Sequence, residues 1–423
     1  MAAKSILSLV RVTAKKGMSV NSCEEKKLQL LIVEFDYHAE VLSTICPTLA
    51  DYFHITLFTT PKIWRKVHFA QECDVNVALL RPGENLKQFF SRQSNTLNGI
   101  DIIYFNTLEK RFQFFASRQW RQPIILRVHN VNATFNPWRS IDFGCVNPLR
   151  ILWHVLRKGI IGSAWRDRKK MLDKADCLML PSDGVMKYCL EHSLIPRSEK
   201  IANFCLPFSV PKVANKFGDA FIEKSRSELV IAVAGTVDPE RKDYSILLGA
   251  IQGAKKRLSK KIVLHFIGAV KGSEGRKIID QFVALEDHQF EFHYSLKHVP
   301  EQKMSEIMSQ VDFFIAPILL ATKFKIHREY YGKTKVSGIE NDMVNFCKAT
   351  LITQGYSLPG YLSDGAEMFN GAQELEDKII AWSQGSGCLD ARDSIIGGRQ
   401  QMVANVTKFE TLCRNLVGTR MRA

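Results

Sequence analysis

The stretch from Tyr331 to Leu351, YGKTKVSGIENDMVNFCKATL, places two lysines directly before a predicted helix. Ser337 and Glu340 have the S-x-x-E spacing of a capping box, and apolar residues follow at helical spacing. Because a helix start carries free N–H groups and partial positive charge, Lys333 and Lys335 in front of it predict an anionic ligand. A solvated loop before a well-capped helix is the alternative explanation.

A second loop has the same character. In VAGTVDPERKDYSILLGAI a buried strand ends at Gly235-Thr236, and Arg241 and Lys242 precede a helix predicted to begin near Asp243. Cations beside free N–H groups bind phosphates. One such loop is more often a solvated turn, but two of them in one domain, both after strands, favour a phosphate site. The Gly-x-Gly-x-x-Gly fingerprint and the Walker lysine loop are both missing from the sequence.

Histidines follow two strands of the first half. EFDYHAEVLSTI places Asp36 and His38 at the carboxyl end of the first predicted strand, and RVHN places His129 at the end of a later one. The carboxyl ends of parallel strands line the ligand site of a doubly wound sheet, so these side chains face the expected cleft. A single histidine is more often structural, and the position at a strand end is what makes these two candidates.

Charge is distributed unevenly along the 423 residues. The chain carries a net charge of +15, of which residues 1–216 contribute +13 and residues 217–423 contribute +2. A basic half predicts an anionic partner or surface; nucleic acid, an anionic membrane face and simple solubility all remain open. The segment NPLRILWHVLRKGIIGSAWRDRKKML at 147–172 combines tryptophan with basic residues, which is typical of helices on anionic membranes or of a helix pair with a solvated basic face.

Cysteine usage and hydropathy indicate the compartment. The ten cysteines are scattered without a C-x-x-C pair, which favours reduced, buried thiols and a reducing environment. No apolar run reaches the length of about 20 residues that a membrane-spanning helix needs, and the first residues do not have the pattern of a secretion signal. We therefore expect a cytoplasmic protein, with peripheral attachment to the inner face of a membrane as an open alternative.

Short apolar runs alternate with helical segments throughout. Seven strands are predicted in the first half, at LQLLIVEF, HITLFTT, VNVALLR, GIDIIYFN, PIILRVHN, ADCLMLPS and KIANFCLPF. Five are predicted in the second half, at ELVIAVAGT, KIVLHFIGA, FEFHYSL, VDFFIAPI and ATLITQG. Continuous apolar runs indicate parallel strands covered on both faces, and hence an α/β fold with two doubly wound sheets. The pattern lapses between 209 and 228, which suggests a linker.

The second half resembles the donor-nucleotide domain of GT-B glycosyltransferases, in particular the family 4-like retaining enzymes (glycosyl transferases group 1). The resemblance lies in the order of AGTVDPERKDYSILLGAI, FIGAV, FEFHYSLKHVPEQKMSEIMSQVDFFIAPI and EYYGKTKVSGIENDMVNFCKATLITQG, within residues 228–360. It implies two Rossmann-like domains that face each other across a cleft. The expected boundaries are a leader at 1–27, an acceptor-binding domain at 28–215, a donor-binding domain at 216–400 and a helix at 401–423 that packs back on the first domain.

The resemblance also implies roles for single residues. With the two basic loops it assigns the donor diphosphate to Gly235, Thr236, Arg241, Lys242, Lys335, Ser337 and Gly338. The nucleobase and ribose are assigned to Tyr294, His298 and Asp342, and the donor sugar to Glu329. A retaining enzyme would use His129 near the donor sugar, whereas an inverting one would use His38 or Asp36 as general base, so the stereochemistry stays open. No metal or other cofactor is expected, because lysine and arginine can neutralise the diphosphate.

This sequence departs from the family pattern at several positions. Asp342 stands where the family has Glu, and Cys347 and Ala349 stand where it has Gly and Pro. Thr236 occupies a place where the family often has a phosphate-binding Arg.

The function expected from this sequence is transfer of a sugar from a nucleotide-diphosphate donor to a glycan or lipid-linked acceptor, in cell-surface polysaccharide or glycolipid synthesis. One alternative is a GT-B isomerase that acts on the sugar nucleotide itself, similar to the 2-epimerases. A basic nucleic-acid-binding protein is another, although no recognisable nucleic-acid module occurs and no nucleic-acid partner is expected. A GT-B scaffold without activity is a further alternative.

Overall fold

The chain is described here by a computed structural model that covers residues 26–69, 73–144, 147–157, 163–195, 200–206, 227–297, 299, 301–385 and 394–422. All but the last two residues of the predicted leader, and nearly all of the predicted linker at 209–228, lie outside these ranges. The boundary between 215 and 216 therefore stays a prediction.

The first domain is built on a six-stranded parallel sheet with the order β3-β2-β1-β4-β5-β6. Its strands are β1 (Leu28–Glu34), β2 (Phe53–Thr59), β3 (Val75–Leu79), β4 (Ile102–Thr107), β5 (Ile124–Arg127) and β6 (Cys177–Met179). The central strands β1 and β4 are almost wholly buried because helices cover both faces of the sheet. The strand order reverses between β1 and β4, and ligands of such sheets bind at the carboxyl ends next to this reversal.

The second domain repeats the architecture with the order β14-β13-β10-β7-β8-β9. Its strands are β7 (Glu228–Ala234), β8 (Lys261–Ile267), β9 (Phe290–Tyr294), β10 (Phe313–Ala316), β13 (Thr350–Thr353) and β14 (Ala366–Phe369), all paired in parallel. Between β10 and β13 the chain forms an antiparallel hairpin of β11 (Ala321–Phe324) and β12 (His327–Tyr330). The order reverses between β7 and β10, next to the predicted phosphate loop.

Helices connect the strands and cover both sheets, which confirms the predicted α/β class with two doubly wound domains. Those of the first domain are α1 (Ala39–Ala50), α2 (Pro61–Trp64), α3 (Leu86–Arg92), α4 (Ser94–Asn98), α5 (Phe112–Ser117), α6 (Val131–Phe135), α7 (Pro148–Val155), α8 (Ala164–Lys174) and α9 (Asp183–Glu191). Those that follow are α10 (Tyr244–Arg257), α11 (Gly272–Val283), α12 (Glu301–Gln310), α13 (Ile339–Phe346), α14 (Gly360–Ser363), α15 (Gly371–Ser383) and α16 (Arg399–Arg422). Helix α10 begins where predicted, with the Asp243 side chain accepting the N–H groups of Ser245 and Ile246.

The C-terminal helix α16 touches both domains. Near its start, Met402 belongs to the core of the second domain. Farther along, Phe409 lies edge-on to Phe53 and Tyr104 in the core of the first domain, and Asn405 donates to the carbonyl of Cys205. The helix therefore ties the end of the chain to the first sheet.

The local structure differs from the expectations in three places. The segment KIANFCLPF contributes only an isolated bridge from Ile201 to Leu178 in its described part, rather than a seventh strand. Strand β14 was not predicted, because AEMF is short and half polar. The hairpin β11–β12 was also missed, because alternating polar residues such as those of TKF and REY carry no apolar run.

Candidate active site

The loop after β1 is anchored by Asp36. The Asp36 carboxylate accepts the backbone N–H groups of Glu109 and Lys110, both at 2.9 Å, and pairs with the Arg111 guanidinium. This side chain is almost fully buried. Both of its oxygens are occupied, so Asp36 fastens the β1 loop to the β4 loop, which favours a structural role over that of a general base.

His38 and His129 are brought together. Their rings stack with centroids 4.7 Å apart, although 91 residues separate them in sequence. His38 adopts a left-handed backbone conformation at the start of α1, and its Nδ1 lies 2.9 Å from Glu40 Oε1. A carboxylate that accepts from one ring nitrogen orients the imidazole and leaves the other nitrogen, Nε2, available to accept a proton. Glu40 was not singled out from the sequence.

His129 is more deeply buried than His38. Its Nε2 donates to the carbonyl of Asn106 at 2.7 Å, which makes Nδ1 the unprotonated nitrogen of the neutral ring. Burial lowers the pKa of His129 well below its usual range, and the charges of His38 and Arg127 act in the same direction. His129 is therefore neutral at physiological pH and is held in one tautomer.

A buried acid that the sequence analysis missed supports these histidines. Glu34 ends β1, accepts the N–H groups of Asp36 and Tyr37 at 3.0 Å, and accepts the Asn106 amide at 2.8 Å. Burial raises its pKa to about 7, although these N–H groups oppose the shift. A charged residue at the end of the apolar run LQLLIVE was the available signal, since an acid at such a place needs several donors.

Lys242 holds the loop that follows β7 in place. Its ammonium donates to the carbonyls of Ala234, Gly235 and Thr236 at 2.6, 3.1 and 3.1 Å. Gly235 has a φ of 83°, a conformation that glycine adopts readily, and this turns the carbonyls toward the lysine. Burial lowers the pKa of Lys242 to about 8, opposed by the charge of Asp342. In this arrangement Lys242 holds the loop that was predicted to bind the diphosphate.

The two lysines of the opening stretch diverge. The ammonium of Lys333 lies over the ring of Tyr188 at 5.9 Å, whereas that of Lys335 lies over Phe324 and Tyr331 at 5.5 and 5.8 Å. Within the described residues, neither ammonium has a hydrogen bond or ion pair. Lys335 is the lysine that lies within electrostatic reach of the other basic loop, because the charge of Arg241 acts on its pKa.

Lys335 shares its surroundings with charges from both domains. Burial lowers its pKa to about 8, with Arg241 acting in the same direction and Glu329 and Glu109 opposing it. Lys335 in turn contributes to the lowered pKa of His129. The Arg241 side chain is 52% exposed, with its Nε 3.4 Å from Asp238. The Val131 N–H donates to the Thr334 carbonyl at 3.0 Å, so the loop that carries Lys335 lies beside the segment that follows His129.

The predicted capping box at the start of α13 does not form. The Tyr356 hydroxyl donates to Glu340 at 2.6 Å and accepts the Ser337 N–H at 2.8 Å, so a tyrosine from outside the segment connects the two. Burial raises the pKa of Glu340 to about 8. Gly338 is the N-cap residue and is exposed, with open space where a Cβ would stand. This exposed helix start can accommodate an anion.

The residues assigned to the nucleobase and ribose are only partly brought together. Asp342 lies within electrostatic reach of Lys242, and burial raises the pKa of this acid to about 7. Tyr294 ends β9, is 45% exposed and stacks on Phe292, with centroids 5.4 Å apart. Strand β9 lies two strands from β7, and within the described residues no contact joins Tyr294 to the basic loops. His298 lies outside the described residues.

Glu329 joins the two domains. From β12 its carboxylate accepts the backbone N–H groups of Ala133 at 2.8 Å and of Asn132 at 3.3 Å, both in α6 of the first domain. Burial raises the pKa of Glu329 to about 7. Both oxygens are used in this way, so the structure gives Glu329 a connecting role in place of the predicted contact with the donor sugar.

Other residues of the hairpin also contact the first domain. Arg328 pairs with Asp142 at 2.8 Å, and His327 Nδ1 lies 3.1 Å from the Ser140 hydroxyl. At the turn, Lys325 reaches Glu109 at 3.4 Å, next to the loop that Asp36 anchors. The hairpin therefore connects the second domain to the first. Within the described ranges, no group of three or more His, Cys, Asp or Glu side chains has a metal-binding arrangement.

Comparisons with known proteins find the same architecture. No protein family and no curated protein matches this sequence. An α,α-trehalose-phosphate synthase (UDP-forming) from Burkholderia vietnamiensis matches with a TM-score of 0.52 and 9% identity, over 92% of this chain and 100% of that one. A trehalose-6-phosphate protein from E. coli bound with UDP-2-fluoro glucose matches with a TM-score of 0.53 and 9% identity, over 92% and 99%.

A third structure agrees with these two. The N-terminal domain of trehalose-6-phosphate phosphatase from Candida albicans matches with a TM-score of 0.50 and 10% identity, over 96% of this chain and 99% of that one. At such low identity the likeness establishes the fold alone. It confirms the predicted GT-B fold, in which two Rossmann-like domains are arranged as in glycosyltransferases.

Proposed function

We propose that this protein is a glycosyltransferase that takes its sugar from a nucleoside-diphosphate donor. The observation that carries the proposal is that Lys335, which precedes the exposed start of α13, lies within electrostatic reach of Arg241 and of His129. A diphosphate matches these two cations and this helix start. The names of two similar structures, one UDP-forming and one bound with UDP-2-fluoro glucose, support a nucleotide sugar.

The two basic loops would stabilise the leaving group. When the bond between the sugar C1 and the phosphate oxygen breaks, its electrons pass to that oxygen, and negative charge grows on the diphosphate. Lys335, Arg241 and the backbone of Gly338 would oppose this charge, and such preorganised electrostatics is usually the largest contribution to catalysis. Lys242 would contribute indirectly, because its ammonium holds the Gly235–Thr236 turn in place. We retain Tyr294 and Asp342 as nucleobase and ribose contacts.

The histidine pair would act on the acceptor. The hydroxyl that attacks C1 must lose its proton, and His38 is oriented for this by Glu40 and is more exposed than His129. His129, neutral and held by Asn106, would lie beside the reacting sugar. An acceptor that is deprotonated by His38 would attack from the opposite face and invert the anomeric centre, whereas a dominant role of His129 would favour retention.

The acceptor is proposed as a glycan or a lipid-linked sugar, in cell-surface polysaccharide or glycolipid synthesis. A sugar phosphate is a second candidate, because the Burkholderia structure is by name a trehalose-phosphate synthase. An isomerase that acts on the sugar nucleotide would need no acceptor, so dependence of turnover on an added acceptor distinguishes the two activities.

The experiment that tests this function measures release of nucleoside diphosphate from UDP-, GDP- and ADP-sugars, with and without sugar, sugar-phosphate and lipid-linked acceptors. Changing His38 to alanine should lower turnover by about 10²- to 10⁴-fold, the usual contribution of a general base. If the enzyme retains the anomeric configuration, His129→Ala rather than His38→Ala should abolish turnover. His192→Ala, at an exposed site that stacks on Tyr188, serves as the matched control.

Full turnover by both His38→Ala and His129→Ala would contradict the assignment of the histidine pair. Absence of release from every donor in the wild-type protein would contradict the transferase function itself.

A further inference from the structure

A patch of exposed apolar side chains lies on the first domain. Of the thirteen large apolar residues that are exposed in the described structure, five lie between residues 138 and 153. They are Trp138, Phe143, Leu149, Leu152 and Trp153, and we call them the apolar patch. Leu149 is 74% exposed, Phe143 71% and Trp153 65%. Soluble surfaces rarely concentrate large apolar side chains in this way unless something binds there.

Internal packing does not account for these side chains. The inner face of α7 is occupied, since Ile151 packs on Ile326 at the turn of the hairpin, with Ile141 and Val155 beside them. Leu149, Leu152 and Trp153 lie on the outer face of the same helix. The helix is therefore seated by one face and presents a second apolar face to solvent.

Basic residues accompany the patch. Arg139 follows Trp138 and Arg157 follows α7, while α8 adjoins the patch because Trp165 near its start contacts Trp138, with ring centroids 4.1 Å apart. The exposed cations of these segments are Arg139, Arg157, Arg166, Lys169 and Lys170. None of these five forms an ion pair with another described residue. Exposed tryptophan and leucine accompanied by unpaired lysine and arginine match the chemistry of an anionic bilayer surface, where acyl chains lie beneath acidic headgroups.

We propose that the apolar patch and its basic residues are a docking surface for an anionic lipid bilayer. A second copy of this chain fits less well, because a symmetric pair would bring the same cations face to face. Nucleic acid fits less well too, because its phosphates would meet apolar side chains. In the part of the chain that the structure describes, no helix is long and apolar enough to cross a membrane, so the contact is peripheral.

The position of the apolar patch indicates an acceptor class for the transferase, and this step rests on the proposed function. Helix α7 packs on the hairpin, whose Lys325 contacts Glu109 beside the acceptor loops. A bilayer held at the patch would present its headgroups next to that side of the cleft. The acceptor class that suits this arrangement is a sugar carried on a membrane lipid.

The test is co-sedimentation of the full chain with vesicles. Wild-type protein should bind phosphatidylcholine vesicles that contain about 30% phosphatidylglycerol and should not bind phosphatidylcholine alone. Salt should weaken the binding, because the cations contribute to it. The triple variant Leu149→Ser, Leu152→Ser and Trp153→Ser should bind at least about tenfold more weakly. All three side chains are exposed, so folding should be retained, and this is checked by thermal unfolding.

A matched control carries Leu190→Ser, Leu296→Ser and Met421→Ser, which are exposed elsewhere and should leave binding unchanged. Equal binding by the patch variant and wild type, or no binding by wild type, would overturn the proposal. So would a wild-type dimer that the patch variant converts to a monomer. Nucleoside-diphosphate titration of the same samples separates the two proposals: retained nucleotide binding without vesicle binding refutes only the docking surface, and the reverse result refutes only the transferase.

Discussion

At the scale of single residues, the account depends most on Lys335. Its ammonium is buried enough to lower its pKa to about 8, yet within the described residues it has no anionic partner in contact. Holding a cation in such a place costs stability that a bound anion can recover. This position therefore suits a negatively charged group.

The pH dependence of nucleotide binding tests this role. A lysine with a pKa of about 8 is charged below that pH and neutral above it. The affinity for a nucleoside diphosphate should therefore fall as the pH rises through 8, by at most about tenfold per pH unit. Calorimetric titration across this range measures the effect.

Lys335→Arg is the matched variant, because a guanidinium stays charged at every pH of the experiment. Its affinity should not depend on pH over this range, while Lys333→Ala, whose ammonium lies over Tyr188, should behave as wild type. If Lys335→Arg keeps the full pH dependence, Lys242, with a pKa also lowered to about 8, is the titrating group and Lys335 is wrongly assigned.

The sequence predicts some of these residues and misses others for physical reasons. Residues at the ends of strands, such as His38 and Arg241, follow from the pattern, because parallel strands bring their carboxyl ends to one edge. Partners supplied by distant segments, such as the Tyr356 hydroxyl between Ser337 and Glu340, leave no local signal. The S-x-x-E spacing of those two therefore predicts a capping box, which is the usual local solution.

At the scale of elements, the hairpin β11–β12 is the feature that the sequence did not indicate. The strands of the two sheets could be predicted because each is an apolar run. The hairpin is polar since most of its contacts are hydrogen bonds and ion pairs to the first domain. Its pattern therefore resembles a loop, and only the folded chain shows that it connects the domains.

Glu329→Gln tests the hairpin as a connection. An amide offers one acceptor oxygen where the carboxylate uses two, and it turns an N–H group toward a backbone N–H of α6. We expect a loss of about 1–3 kcal/mol in the free energy of unfolding, the usual consequence of an unsatisfied buried donor. Chemical denaturation at pH 8, where Glu329 with its pKa of about 7 is mostly ionised, measures this loss.

Arg328→Ala provides the comparison for this variant. Its side chain is 47% exposed, but the Asp142 carboxylate that it pairs with is only 4% exposed, so removal should cost about 1 kcal/mol or somewhat more, and less than removal of the doubly bonded Glu329 carboxylate. An equal cost for the two variants, or no cost for Glu329→Gln, would show that the buried contact does not stabilise the docked hairpin.

At the scale of the whole molecule, the fold could be predicted almost completely from the sequence. Two series of apolar strands separated by helices define two doubly wound sheets, and a sheet of this kind has its ligand site at the reversal of strand order. The way in which the domains contact each other could not be predicted, because it depends on polar contacts such as Glu329 to α6 and on the packing of α16 on the first sheet. The detailed shape of the cleft depends on those contacts.

The central claim is that the cleft binds a nucleoside diphosphate between Lys335, Arg241 and the start of α13. The most direct measurement is thermal stability of the full chain titrated with UDP, GDP, ADP and CMP. One nucleoside diphosphate should raise stability by about 2.7 kcal/mol at a hundredfold excess over its Kd. Lys335→Ala should lose most of this gain, and Lys333→Ala should keep it. No stabilisation by any of these nucleotides, together with salt-sensitive binding to nucleic acid, would contradict the account.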